Sequence, residues 1–142
     1  MVRTAWACAA TVAALTSFAS AEPAKRYEVR VEAEELEVDT RGTVTIEVTP
    51  QGGFAIDEKY PARLSFIPDV GDEVLVVARR EQGSADARYA PDGSSLRWEV
   101  DVMARKAGRH PAKIKAEIRV CKENDCSVGV SELRLAIVAK GS

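Results

Sequence analysis

The sequence predicts an all-β fold, an antiparallel sandwich of about seven to nine strands, preceded by a cleavable signal peptide. Two observations predict the sandwich. Apolar and polar residues alternate in one segment after another, the period of strands with a single buried face. Turn signals built on Gly, Pro and Asp separate those segments at short intervals. A third observation sets the N-terminus apart. After the basic start Met1-Val2-Arg3, residues 5–21 carry no charge and end on the small residues Ala19-Ser20-Ala21. This is the pattern of a secretory signal cleaved after Ala21. Its apolar core is shorter than the roughly 20 residues of a spanning helix.

The expected organisation is therefore a signal peptide over residues 1–21 and one domain over residues 22–142. Cys8 leaves with the signal. Without Arg3, the 20 basic residues become 19 against 22 acidic, a net charge of −3. The two signs are interspersed and no basic stripe stands out, which argues against nucleic acid as a partner. No second apolar run is long enough to span a bilayer, so no stable membrane anchor is expected after cleavage. Export places the domain in the periplasm or outside the cell. There, two remaining cysteines can form one intramolecular disulfide.

The strands follow in order. Tyr27, Val29 and Val31 alternate with charged residues; so do Val44, Ile46 and Val48 with Thr and Glu. Residues 32–37 are acidic enough for a helical turn, but Val38 and the following Arg41-Gly42 favour strand and turn. Leu64 and Phe66 flank Ser65, and Val74 opens a short apolar run. Leu96, Trp98, Val100 and Val102 form the next alternating set, then Ile114, Ala116, Ile118 and Val120, then Leu133, Leu135 and Ile137. Seven or so short strands with this punctuation read as an immunoglobulin-like sandwich. The longest polar connection spans 79–95 and holds one aromatic, Tyr89. A connection of that length is either mobile or functional.

Chemistry, if any, lies in Cys121-Lys122-Glu123-Asn124-Asp125-Cys126. Even positions 114–120 are apolar and odd ones charged, so Cys121 faces outward. In the next strand the odd positions are apolar, so Cys126 faces outward too. The two cysteines then oppose one another across a four-residue turn, at a separation that suits a disulfide. The pair is either a structural staple or a redox-active disulfide that exchanges with a partner thiol. The closed loop is short, which limits the staple to roughly 2 kcal/mol in the chain-entropy model. Arg119 and Lys122 beside Cys121 favour its thiolate, while Asp125 disfavours that of Cys126.

The stretch Gly52-Gly53-Phe54-Ala55-Ile56-Asp57-Glu58-Lys59-Tyr60-Pro61, a strand ending Ile67-Pro68, and a late strand running into a close cysteine pair resemble the periplasmic N-terminal domain of DsbD-type thiol:disulfide interchange proteins. The resemblance spans roughly residues 43–138. It implies an immunoglobulin-like fold and a redox role for Cys121 and Cys126. It also implies protein partners: a separate membrane thiol reductase and periplasmic thioredoxin-like proteins. By position, Tyr89 would shield the disulfide as part of a cap, and the second cysteine would attack partners, against the charge reading above. There are departures. Ala55 replaces a frequent His, Ser127-Val128-Gly129 follows the pair instead of Pro, and these 142 residues hold no membrane carrier and no Cys-x-x-Cys.

No cofactor or metal is expected. His110, the only histidine, is expected at the surface, roughly 35 Å along its strand from Cys121, and three donors fall short of a closed zinc site. No nucleophile motif surrounds any Ser. Trp98, Phe54, Tyr60 and Phe66 read as packing residues. The alternative function is a non-catalytic secreted β-sandwich that binds a protein, with a structural Cys121–Cys126 bridge.

Overall fold

A computed structural model describes residues 26–141. The expected signal peptide, residues 1–21, lies outside them. Within them are β1 (Tyr27–Ala33), β2 (Leu36–Glu37), β3 (Arg41–Pro50), β4 (Ala55–Ile56), β5 (Arg63–Pro68), β6 (Leu75–Val77), β7 (Glu81–Gly83), β8 (Arg88–Tyr89), β9 (Leu96–Ala104), β10 (Gly108–Lys122) and β11 (Asp125–Lys140), with one 3-10 turn, Ser84–Asp86. Three of the eleven strands are two-residue bridges, and the other eight make up the body of the sandwich.

The strands form two sheets. One runs β1-β3-β9-β6, with β8 also on β9. The other runs β2-β11-β10-β5-β7, with β4 also on β10. This is the A-B-E-D and C-F-G arrangement of an immunoglobulin domain, with β7 added beside β5. All pairs are antiparallel except β2 with β11.

Period-two patterning explains the core. In β9, Leu96, Trp98, Val100, Val102 and Ala104 are buried and the residues between them are not. In β10 the buried set is His110, Ala112, Ile114, Ala116, Ile118 and Val120. Phe66 from β5 and Val44, Ile46 and Val48 from β3 complete the layer between the sheets. Burying side chains of this size contributes about 1.5–3 kcal/mol each. Trp98 is fully buried and satisfies its indole N–H by donating to the Gly83 carbonyl at 3.1 Å.

Two expectations are corrected. His110 is not at the surface. It is 6% exposed, and its Nε2 lies 2.7 Å from the Lys106 carbonyl. Its even position in β10 turns it inward, and the ring reaches back to the polar turn to satisfy one nitrogen. The 79–95 segment is not a bare connection either. β7 pairs with β5, β8 pairs with β9, and the 3-10 turn lies between them. Backbone bonding to two neighbouring strands orders a segment whose side chains carry almost no apolar pattern.

Candidate functional site

The β10–β11 hairpin brings the cysteines together. Its turn is tighter than expected: Lys122 pairs with Asp125, leaving only Glu123 and Asn124 between the strands. Glu123 takes φ 54, the left-handed region that non-glycine residues enter at a cost. Cys121 pairs directly with Cys126 and the two form a disulfide, Cα to Cα 4.1 Å. Both residues face outward, as parity predicts, and both are half-buried. The bridge joins neighbours within one sheet. It does not cross the sandwich.

The Gly-Gly-Phe-Ala-Ile stretch lies directly beside this hairpin. After β3 the chain turns through Gly52 and Gly53, at φ 66 and 83, conformations that cost glycine almost nothing. A Cβ on Gly53 would sit 3.2 Å from Lys122 Cε. β4 then docks on β10, Ala55 opposite Cys121 and Ile56 opposite Val120. Cys121 is thus flanked by Cys126 on one side and Ala55 on the other. On the far side of Cys126, among the described residues, no strand pairs with β11 before Ala139.

Charges arrive from distant parts of the chain. Asp57, immediately after β4, donates its N–H to the Arg119 carbonyl at 2.9 Å. Its carboxylate accepts the Lys59 N–H at 3.1 Å, lies 3.5 Å from the Arg119 guanidinium, and places Oδ2 4.0 Å from Cys121 Sγ. On the other side, Arg26 pairs with Asp125 at 3.1 Å and donates to Ser127 Oγ at 3.0 Å. Arg26 also stacks over the Phe54 ring at 4.9 Å, with the Lys122 ammonium at 5.9 Å, in cation–π range. Arg119 and Asp125, the neighbours that the sequence assigned to the two sulfurs, therefore both have partners of opposite sign. Sequence reasoning did not place Asp57 or Arg26 at the site. Asp57 stood inside the quoted motif, but its proximity to Cys121 depends on the β4–β10 pairing.

Tyr89 lies on β8, opposite Leu96, half-buried against the core. Its hydroxyl is buried without a hydrogen-bond partner. The part of the 79–95 segment that meets the cysteine region is the turn after it. Ile56 donates its N–H to the Gly93 carbonyl at 2.9 Å. A Cβ on Gly93, φ 71, would fall 3.2 Å from Ala55 Cβ. The Ser94 hydroxyl and N–H hold the Asp92 carboxyl of this turn below the usual range.

Elsewhere, a polar cleft of about 400 Å³ lies between Arg79, Gln82, Asp86 and Arg88 on one side and Arg97, Glu99 and Asp101 on the other. Its lining includes no Ser, Cys or His. Among the described residues no group of three or more His, Cys, Asp and Glu is placed to hold a metal ion, and no helix is long and apolar enough to cross a membrane.

No family model matches this chain, and no curated protein matches it. Solved structures match it at low identity and low structural overlap. AggA, the major subunit of aggregative adherence fimbriae type I of Escherichia coli, is 9% identical over 82% of this chain and 97% of its own, with a TM-score of 0.41. A conjugative transposon lipoprotein from Bacteroides eggerthii is 12% identical over 79% of this chain and 96% of its own, TM-score 0.43. PapD-like domain 7 of human CEP192 is 11% identical over 92% and 96%, TM-score 0.44. Likeness at this level carries no argument about what the chain does.

Proposed function

We propose that this chain is an exported, periplasmic thiol–disulfide exchange domain in which Cys121 and Cys126 cycle between dithiol and disulfide with a protein partner. One observation supports this most: the disulfide sits on the outer face of a single hairpin, half-exposed, where it links no separate parts of the fold. A bridge that mainly stabilises would tie distant segments. The resemblance to DsbD-type N-terminal domains supports the same reading. It also suggests the partners: a separate membrane thiol reductase and thioredoxin-like proteins.

Exchange is an in-line displacement at sulfur. An incoming thiolate attacks one sulfur from the side opposite the other. For Cys121 that side holds β4, with Ala55 and Asp57. For Cys126 it is the edge of β11, on which no strand of the described residues pairs before Ala139. Cys126 is therefore the sulfur that partners meet, and Cys121 the one that resolves the mixed disulfide. Tyr89 packs on the core, so any cap on this region would come from its segment through the Gly93 turn, which packs on β4.

The test is the reduction potential, from glutathione or dithiothreitol titration. The expected value lies with exchange proteins, between about −120 and −270 mV. Cys121→Ser should trap a mixed disulfide through Cys126. A potential below about −300 mV, with no trapped species from either single Cys→Ser variant, would overturn the proposal. That result would favour the second reading, a protein-binding sandwich with a structural bridge, for which the exposed Val128 and Val130 on the unpaired edge of β11 speak.

A further inference from the structure

The two sulfurs have unequal surroundings, and the difference is Asp57. Its carboxylate is held from three directions. The backbone N–H of Asp57 is anchored on Arg119, Oδ1 accepts from the Lys59 amide, and Oδ2 lies between the Arg119 guanidinium and Cys121 Sγ. The side chain is only 20% exposed. In the disulfide, Cys121 has no proton to offer this oxygen, so the 4.0 Å approach places an acceptor beside a sulfur that has nothing to donate. Among the described residues Cys126 has no such carboxylate partner. The nearest acid in sequence, Asp125, is turned to Arg26.

We propose that Asp57 is the positioning residue that keeps Cys121 protonated in the dithiol state, by accepting its S–H and opposing negative charge on its sulfur. How exchange uses this rests on the function proposed above; the protonation state of Cys121 does not. In exchange, Cys126 attacks the partner's disulfide and forms the mixed disulfide, and one partner sulfur leaves. Cys121 then gives up its proton and attacks Cys126 Sγ. The Cys121–Cys126 bond forms, the bond from Cys126 to the partner breaks, and the released partner sulfur ends as a thiol. Two electrons pass to the partner and no further reductant is required. Asp57 favours this order because a thiolate on Cys121 would stand beside a carboxylate. The other charged groups around the pair are Arg119 and Lys122 on β10, Glu123 in the turn, Asp125 on β11, Arg26 before β1, and Glu58 beside Asp57.

Alkylation by iodoacetamide tests this without any partner. Only the thiolate displaces iodide, so rate against pH reports ionisation. In the processed chain, residues 22–142, carrying Cys126→Ser, Cys121 is the one thiol, and adding Asp57→Asn should raise its pH 7 rate at least about fivefold. That is the factor matching the interaction of about 1 kcal/mol between unit charges 4 Å apart in water. The midpoint of the profile should fall. Asp57→Glu should restore much of the original profile. In the Cys121→Ser chain, the same Asp57→Asn change should leave Cys126 within about twofold. An unchanged Cys121 profile would overturn the inference, as would an equal shift at both cysteines. Asp57→Asn keeps an acceptor for the Lys59 amide, so the fold is retained. A shifted Cys121 profile with a potential in the structural range would sink exchange and leave this inference standing. The reverse combination would do the opposite.

Discussion

At the residue scale, Tyr89 is the position to change first. Its hydroxyl is the one buried side-chain polar atom left unpartnered among the described residues, and such a group costs roughly 1–3 kcal/mol. Tyr89→Phe should therefore stabilise the domain by about 1 kcal/mol in urea unfolding; a loss of stability would mean that the hydroxyl has a partner in solution. The aromatic ring stays in that variant, so a shielding role would be untouched by it. Single residues are unevenly legible in the sequence. His110 looks like surface in the sequence even though parity, which places both cysteines, points it inward as well. A lone polar residue at a strand start looked like surface, because the carbonyl of Lys106 that satisfies it comes from the turn before the strand. Asp57 and Arg26 were illegible for a different reason. They reach the cysteines across 64 and 99 residues of chain respectively, to Cys121 Sγ and to Asp125.

At the scale of elements, the β10–β11 hairpin is a 15-residue strand against a 16-residue strand, in register from Gly108 opposite Ala139 to Lys122 opposite Asp125. So long a ladder does not need its disulfide. Replacing both cysteines by Ser should cost about 2 kcal/mol and leave a cooperative transition, measured by urea unfolding of oxidised and double-variant chains. A loss of 5 kcal/mol, or failure to fold, would make the bridge structural. The long alternating strands were legible because each shows one face to the core. The two-residue strands β2, β4 and β8 were not, since backbone pairing alone defines them. β4 is the one that matters for chemistry, because it brings Asp57 to Cys121.

At the scale of the whole molecule, one long flank of the second sheet has no paired strand among the described residues. β2 covers β11 only at Ala139 and Lys140. A two-residue turn makes Lys122–Asp125 the first hydrogen-bonded pair, so residues 126, 128, 130, 132 and 134 aim their N–H and C=O groups away from β10. Val128 and Val130, about half exposed, and Val138, 38% exposed, stand on the same row. Unprotected, such a row is a template for other chains. Only Glu132 and Arg134 interrupt it. Glu132 lies opposite Lys115, and Arg134 reaches Asp69 at 3.6 Å. Replacing both by Val should leave the core intact, yet make light scattering rise within hours at concentrations where the parent chain stays clear. Two surface charges far from the core are thus expected to guard an edge of the whole protein that neither folding nor the sulfurs require.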